Sequence, residues 1–211
     1  MEQPRKREER RVMGKGLLFM TLLFLLLGQG WSGPTSSRLL ISAGIFSFSQ
    51  ENFRTMYGTL PVMNIELETF LGKSFGVAVG LVYLSGKGQA LVLSGEPDQM
   101  FKLEFSRRSV PVCFKWRIVK GSFEACAAVG GVLSFIREKW SEVDLAQRET
   151  KFHLRYEAGV NFKVVKNVVL LARVAAENIA SSYNSPALYG AQPNLGGLSF
   201  QAGLGYQFEW K

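Results

Sequence analysis

Histidine occurs once in the 211 residues, as His153, and cysteine only twice, as Cys113 and Cys126. Three such residues cannot readily build a closed tetrahedral metal set, so neither a metal nor a cofactor is expected and no catalytic residue is assigned. Long amphipathic helical periodicity is missing throughout. So is a long apolar run: the one at 17–27 falls well short of the roughly 20 residues that a spanning helix needs. Charge of one sign is not concentrated in the part that folds. The formal net charge is +8, but Arg5, Lys6, Arg7, Arg10, Arg11 and Lys15 all precede the first apolar run. The other basic residues are spaced singly among acids. Without a Lys/Arg stripe of the kind that tracks phosphates, nucleic acid is not expected as a partner.

What the N-terminus does have is the order of an export leader. A basic segment is followed by the apolar run 17–27 and then by Gly28, Gly30, Ser32 and Gly33, which are n-, h- and c-regions in sequence. Residues 1–32 are therefore expected to be a cleaved signal peptide with a short exit, and 33–211 the mature domain. Cleavage after Gly30 or Ser32 places small residues at both required positions. Cleavage after Gly33 would put Trp31 in a small-residue slot and Pro34 just past the cut. An uncleaved anchor is the alternative, disfavoured by the shortness of the run.

From Arg38 onward the dominant period is two, the signature of strands. Eight segments show it, at about 39–49, 61–71, 75–85, 100–118, 123–138, 151–164, 168–179 and 198–210. Tight connections follow the second, fourth and sixth: Gly72-Lys73-Ser74, Val119-Lys120-Gly121-Ser122 and Val165-Lys166-Asn167. Longer connections follow the first, third, fifth and seventh. Short turns on one rim and long loops on the other predict an all-β, eight-stranded antiparallel up-and-down transmembrane β-barrel, its short turns periplasmic.

A soluble carrier barrel would be inside-out relative to this, and the non-greasy parity separates the two. In the sixth segment Phe152, Leu154, Tyr156, Ala158, Val160, Phe162 and Val164 alternate with His153, Arg155, Glu157, Gly159, Asn161 and Lys163. Gly76, Gly80, Gly159, Gly203 and Gly205 all share the polar parity. Small residues there suit the crowded interior of an eight-stranded barrel, which puts the grease outside. Aromatics near strand ends predict two interfacial girdles: Phe75, Trp116, Phe123, Phe162 and Phe208 at the short-turn rim, and Phe101, Phe135, Phe152 and Phe200 at the other.

Lumen positions then hold the acids Glu66, Glu68, Glu104, Glu124, Glu157, Glu177 and Glu209 and the bases Lys102, Lys115, Arg117, Arg155, Lys163 and Arg173. That near balance predicts a paired network, because an unpaired buried charge is costly. The turn at 165–167 places Arg155 opposite Glu177. The turn at 119–122 places Arg117 opposite Glu124, and that at 72–74 places Glu66 opposite Gly80 and Glu68 opposite Ala78. The fourth segment changes parity, from Phe101, Leu103 and Phe105 to Val112, Phe114, Trp116 and Ile118. A bulge near Ser109-Val110-Pro111 would absorb the extra residue. The first segment is apolar on both parities and its faces stay unassigned.

These residues resemble the eight-stranded outer-membrane protein β-barrel domain family, of the OmpA/OmpX type, over about 38–210. The most specific element is Gln201-Ala202-Gly203-Leu204-Gly205-Tyr206-Gln207-Phe208, similar to that family's C-terminal assembly signal, with Glu209-Trp210-Lys211 following. The resemblance implies an integral protein of the Gram-negative cell outer membrane. Its implied partners are outer-membrane lipids, lipopolysaccharide and the barrel-assembly machinery that reads the last strand. A monomer without an appended peptidoglycan-binding domain is expected. One activity is not implied, because fold is not function.

Individual residues are weighed against structural roles. His153 as a base in a lipid-acting enzyme lacks a visible Ser-His-acid spacing, so a lumen or rim polar role is preferred. Glu66 and Glu68, at i and i+2 on one face, read as network members before they read as an acid–base pair. Neither Gly28-Gln29-Gly30 nor Gly86-Lys87-Gly88 opens a helix, so neither is a phosphate loop. Cys113 and Cys126 share lumen parity on neighbouring strands, and export favours oxidation. The turn at 119–122 pairs Cys113 with Ala128 and Lys115 with Cys126, which leaves the thiols diagonal, about 7–8 Å apart, and a bond between them open. The leading functional expectation is a structural or interaction protein with a lumen plugged by its own side chains. A narrow channel or carrier for small, apolar molecules and a lipid-modifying enzyme are the alternatives.

Overall fold

A computed structural model of the chain describes residues 35–92, 99–140, 145–181 and 194–209. The expected leader lies outside the described residues, as do parts of three long loops. Eight strands form: β1 (Thr35–Phe48), β2 (Thr59–Leu71), β3 (Phe75–Val92), β4 (Gln99–Lys120), β5 (Phe123–Trp140), β6 (Leu145–Val165), β7 (Val168–Glu177) and β8 (Gly197–Glu209). One short helix, α1 (Glu51–Tyr57), lies between β1 and β2. Each strand pairs antiparallel with the next, and β1 pairs with β8 to close the barrel. Closure gives every strand a hydrogen-bonded neighbour on both sides, the condition for crossing a bilayer with strands.

The facing follows the predicted parity. Leu154, Tyr156, Val160 and Phe162 are exposed, whereas Arg155, Glu157 and Asn161 are buried. All five aromatics expected at the short-turn rim face outward, as do Phe135, Phe152 and Phe200 toward the loops. The unassigned β1 resolves cleanly: Leu39, Ile41 and Ile45 point out, and Arg38, Leu40, Ser42 and Phe46 point in. Glycines make room inside. A Cβ on Gly205 would lie 2.1 Å from Leu40 Cδ2, and one on Gly76 would lie 2.7 Å from the Phe70 ring.

Two registers follow the turns as read. Glu66 faces Gly80 and Glu68 faces Ala78 across a turn that starts at Gly72, where φ is +77°. Arg155 faces Glu177. The route to the second differs from the three-residue turn expected at 165–167. Val165 pairs with Val168 around the two-residue turn Lys166-Asn167, and an irregularity between Lys163 and Val165 restores the register.

Three expectations are corrected. The β4–β5 turn is the two-residue Gly121-Ser122, with φ of +62° at Gly121 and Lys120 paired to Phe123. Arg117 therefore faces Cys126, not Glu124, and Cys113 faces Gly130. Gly121 takes the left-handed conformation a tight turn needs, so the turn closes sooner than a four-residue reading allowed. Second, β4 has no bulge at Ser109-Val110-Pro111. Its register with β5 is unbroken, and the odd residues Leu103, Phe105, Arg107, Ser109, Cys113, Lys115 and Arg117 are all buried. The apolar parity changes because the lumen itself turns apolar toward the loops. Third, Lys102 and Glu104 consequently face outward and are not lumen charges. Phe101 packs inward against the buried cluster and leaves the girdle. Glu209 keeps its expected strand, but its side chain lies outside the described residues.

Candidate functional site

Among the described residues, the lumen is filled in layers. Nearest the short turns, Arg38 Nη1 and Nη2 donate to both oxygens of Glu124, at 2.6 and 2.8 Å, and its Nε donates to Gln207 Oε1 at 3.0 Å. Asn161 Nδ2 adds a bond to Glu124 at 2.7 Å. Arg117 lies 3.6 Å over the Phe70 ring and donates to Glu124 at 3.4 Å. The two residues once expected to face each other thus still meet, diagonally.

The middle layer gathers charge from four strands. Lys115 Nζ donates to Glu66 at 2.5 Å, to Glu68, and to Glu157 at 3.1 Å. Arg173 Nη1 and Nη2 bond Glu66 and Glu68 at 2.9 and 2.8 Å from the far wall. The small residues opposite these acids on β3, Gly80 and Ala78, leave their side chains free to reach across. Above, Arg155 bridges Glu157 at 3.1 Å and Glu177 at 2.6 Å, and Arg107 takes the second oxygen of Glu177 at 2.6 Å.

Among the described residues, six buried acids, Glu66, Glu68, Glu124, Glu138, Glu157 and Glu177, match six buried bases, Arg38, Arg107, Lys115, Arg117, Arg155 and Arg173. Of these, Arg38, Arg107 and Glu138 escaped the sequence reading. Arg38 sits on the strand whose faces were unassigned. Arg107 and Glu138 lie where the supposed bulge, and the assumption of a polar lumen throughout, obscured the inward side. Lys163 keeps inward parity but is only half-buried.

The loop-side layer is apolar. Phe46, Phe48, Phe53, Tyr57, Leu84, Phe105, Ile136 and Trp140 form one buried cluster. Phe53 and Tyr57 come from α1, whose i and i+4 positions share a face. Their rings stack at 6.2 Å, and Phe48 and Phe105 lie within 6 Å of Tyr57. Tyr57 Oη donates to Glu138 at 2.7 Å, and the Arg107 guanidinium lies 4.8 Å over Phe46, so the aromatic layer is tied to the charges beneath.

Just below the aromatic layer, Ser134 Oγ and His153 Nε2 lie 2.8 Å apart and Ser109 Oγ is 2.7 Å from Ser134. The pairing was not visible as a sequence spacing, since cross-strand register brings the two together. Ser134 is 0% and His153 6% exposed, which leaves no room for a substrate carbonyl. Cys113 and Cys126 are separate buried thiols. With Cys113 opposite Gly130, four residues from Cys126, the two sit farther apart than the diagonal first expected.

No protein-family model matches the chain, and neither does any curated relative. Solved structures do. The attachment invasion locus protein Ail of Yersinia pestis, in complex with the heparin analogue sucrose octasulfate, is 16% identical with a TM-score of 0.50, covering 83% of this chain and 99% of that one. Neisserial surface protein A is 12% identical with a TM-score of 0.51, covering 83% and 97%. The likeness is one of fold. An apolar outer wall surrounds the ion-paired interior, and the chain has the eight-stranded β-barrel fold that these two proteins have.

Proposed function

We propose that this barrel is a structural and interaction protein of the outer membrane, its lumen closed by its own side chains and its loops and wall serving as contact surfaces. The observation that carries the reading is the charge balance. A pore lining that selects ions is one-sided, whereas here each described lumen carboxylate in the three charged layers is held by at least one cation within 3.4 Å. An aromatic layer then covers the charged ones.

Residues 1–32 act as the cleaved leader. The wall meets outer-membrane lipids and lipopolysaccharide, and β8 presents the strand that the assembly machinery reads. Within the closed ring each strand has a neighbour on both sides, which favours a monomer. The protein is not an enzyme in this reading, since its Ser134–His153 pair is sealed from both lipid and water.

Planar-bilayer recording on the refolded protein tests the proposal. No steady conductance and no solute flux in liposome swelling are expected. Steady conductance would replace the closed lumen with a narrow channel.

A further inference from the structure

Strands β3–β6 span 18 to 22 residues, against 10 to 14 for the other four. Their extra length stands beyond the apolar wall on the loop side, and its outer face is basic. On β4 the outward apolar stretch 110–118 gives way to Arg108. On β5 Arg137 and Lys139 follow Phe135, on β6 Arg148 lies beyond Phe152, and on β3 Lys87 lies beyond Tyr83.

Register gathers these singly spaced residues into rows. Tyr83, Arg108 and Phe135 lie side by side across β3–β5, with Thr150 next on β6. The next row is Ser85, Ser106, Arg137 and Arg148, and the one after it Lys87, Glu104, Lys139 and Ala146. Arg137 and Arg148 are directly opposite and both exposed, an arrangement that is destabilising unless an anion sits between them. Among the described residues none of these five cations forms a salt bridge, and Glu104 is the one acid in the rows. A shallow cleft of about 400 Å³ opens there, lined in part by Tyr83, Ser85, Lys87, Ser106, Arg137 and Lys139.

We infer that this face is a binding site for a phosphorylated lipid headgroup of the loop-side leaflet. Guanidinium groups pair phosphate oxygens bidentately, and Ser85 and Ser106 add hydroxyls between them. Position selects a lipid over a soluble anion. Tyr83, Phe135 and Phe152 border the cations on the membrane side and are continuous with the apolar wall. A ligand with phosphates at this height and acyl chains below satisfies both. On the other side of the barrel, β1, β2, β7 and β8 end near the apolar belt and carry no such cations. The site is therefore one-sided.

The inference rests on the membrane-barrel reading, and its test separates the two. The full chain is refolded into nanodiscs of zwitterionic phospholipid containing a small fraction of lipid A, and the lipid A retained per barrel after extraction into neutral detergent is measured. Arg108→Gln, Arg137→Gln and Arg148→Gln are expected to lower retention by about fivefold for each cation removed. A control removing Lys73, Lys120 and Lys166 at the short turns loses the same charge and is expected to retain as the unaltered protein does. Dephosphorylated lipid A is expected to be retained poorly, and excess inorganic phosphate to displace nothing. Retention unchanged in the triple variant, with alkali-resistant insertion intact, overturns this site and leaves the barrel. Displacement by phosphate or by sucrose octasulfate overturns the lipid assignment. Failure of the unaltered chain to insert overturns the barrel reading instead.

Discussion

Glu177 is held by two guanidinium groups, Arg155 Nη1 on one oxygen and Arg107 Nη2 on the other, each at 2.6 Å. That sharing changes what a double-mutant cycle will show. Arg155→Gln leaves Glu177 still paired with Arg107. Glu177→Gln takes the carboxylate from Arg107 and leaves Arg155 with Glu157 alone, and is the costlier change, about 3–5 kcal/mol on the general range for breaking a buried pair. The double variant Arg155→Gln with Glu177→Gln is expected to recover only part of that loss, because Arg107 remains without its carboxylate. Urea unfolding from lipid vesicles measures all three. Full recovery in the double variant would mean that Arg107 takes no share of Glu177. Additive single effects would mean that Arg155 and Glu177 do not meet.

At the scale of the element, α1 has seven residues and no capping bond from the side chain of its N-cap Gln50, and it ends at Gly58, where φ is +64°. A helix that short is not stable by itself. What holds it is the burial of Phe53 and Tyr57 in the aromatic layer. Replacing both with Ala removes the anchors, at about 3–5 kcal/mol for each buried aromatic, and is expected to free α1 from the barrel mouth. Hydrogen exchange at 51–57 should rise sharply in this variant. Conductance should stay nil, because Glu138 loses its bond from Tyr57 but the ion pairs of Glu66, Glu68, Glu124, Glu157 and Glu177 beneath α1 keep their partners. A variant that conducts would make α1 alone the seal.

For the whole molecule the solvent order is inverted: large apolar side chains such as Phe152 and Leu204 are among the most exposed, and charged ones such as Arg155 and Glu68 among the most buried. Only a bilayer rewards that order. Leu154→Arg and Val160→Arg place a charge on the wall, and each is expected to lose about 2–4 kcal/mol in vesicles if it sits at the midplane. Gln201→Arg faces inward, where Ser42 and Ser199 hydrogen-bond the existing side chain. Its cost is that of crowding and of a buried cation without a carboxylate, and should not change with bilayer thickness, whereas the wall variants should. Harmless wall substitutions would mean that the facing is reversed.

The sequence by itself determined the strand count, the outward face of most strands, the positions of the short turns, and the β2–β3 and Arg155–Glu177 registers. Each is a local property, carried by a period of two and by Gly or Asn at a turn. Tertiary structure decided the rest. Arg38 meets Glu124 from 86 positions away, and Arg173 meets Glu66 from 107. No window on the chain contains either pair. Parity separates two faces of a strand but not which is inside when both are apolar, as in β1, or when the lumen changes character along its length, as in β4. There the inward side is set by what other strands and α1 place across the barrel. The basic face of β3–β6 has the same origin: cations spaced singly along the chain become neighbours only when register lays four strands side by side.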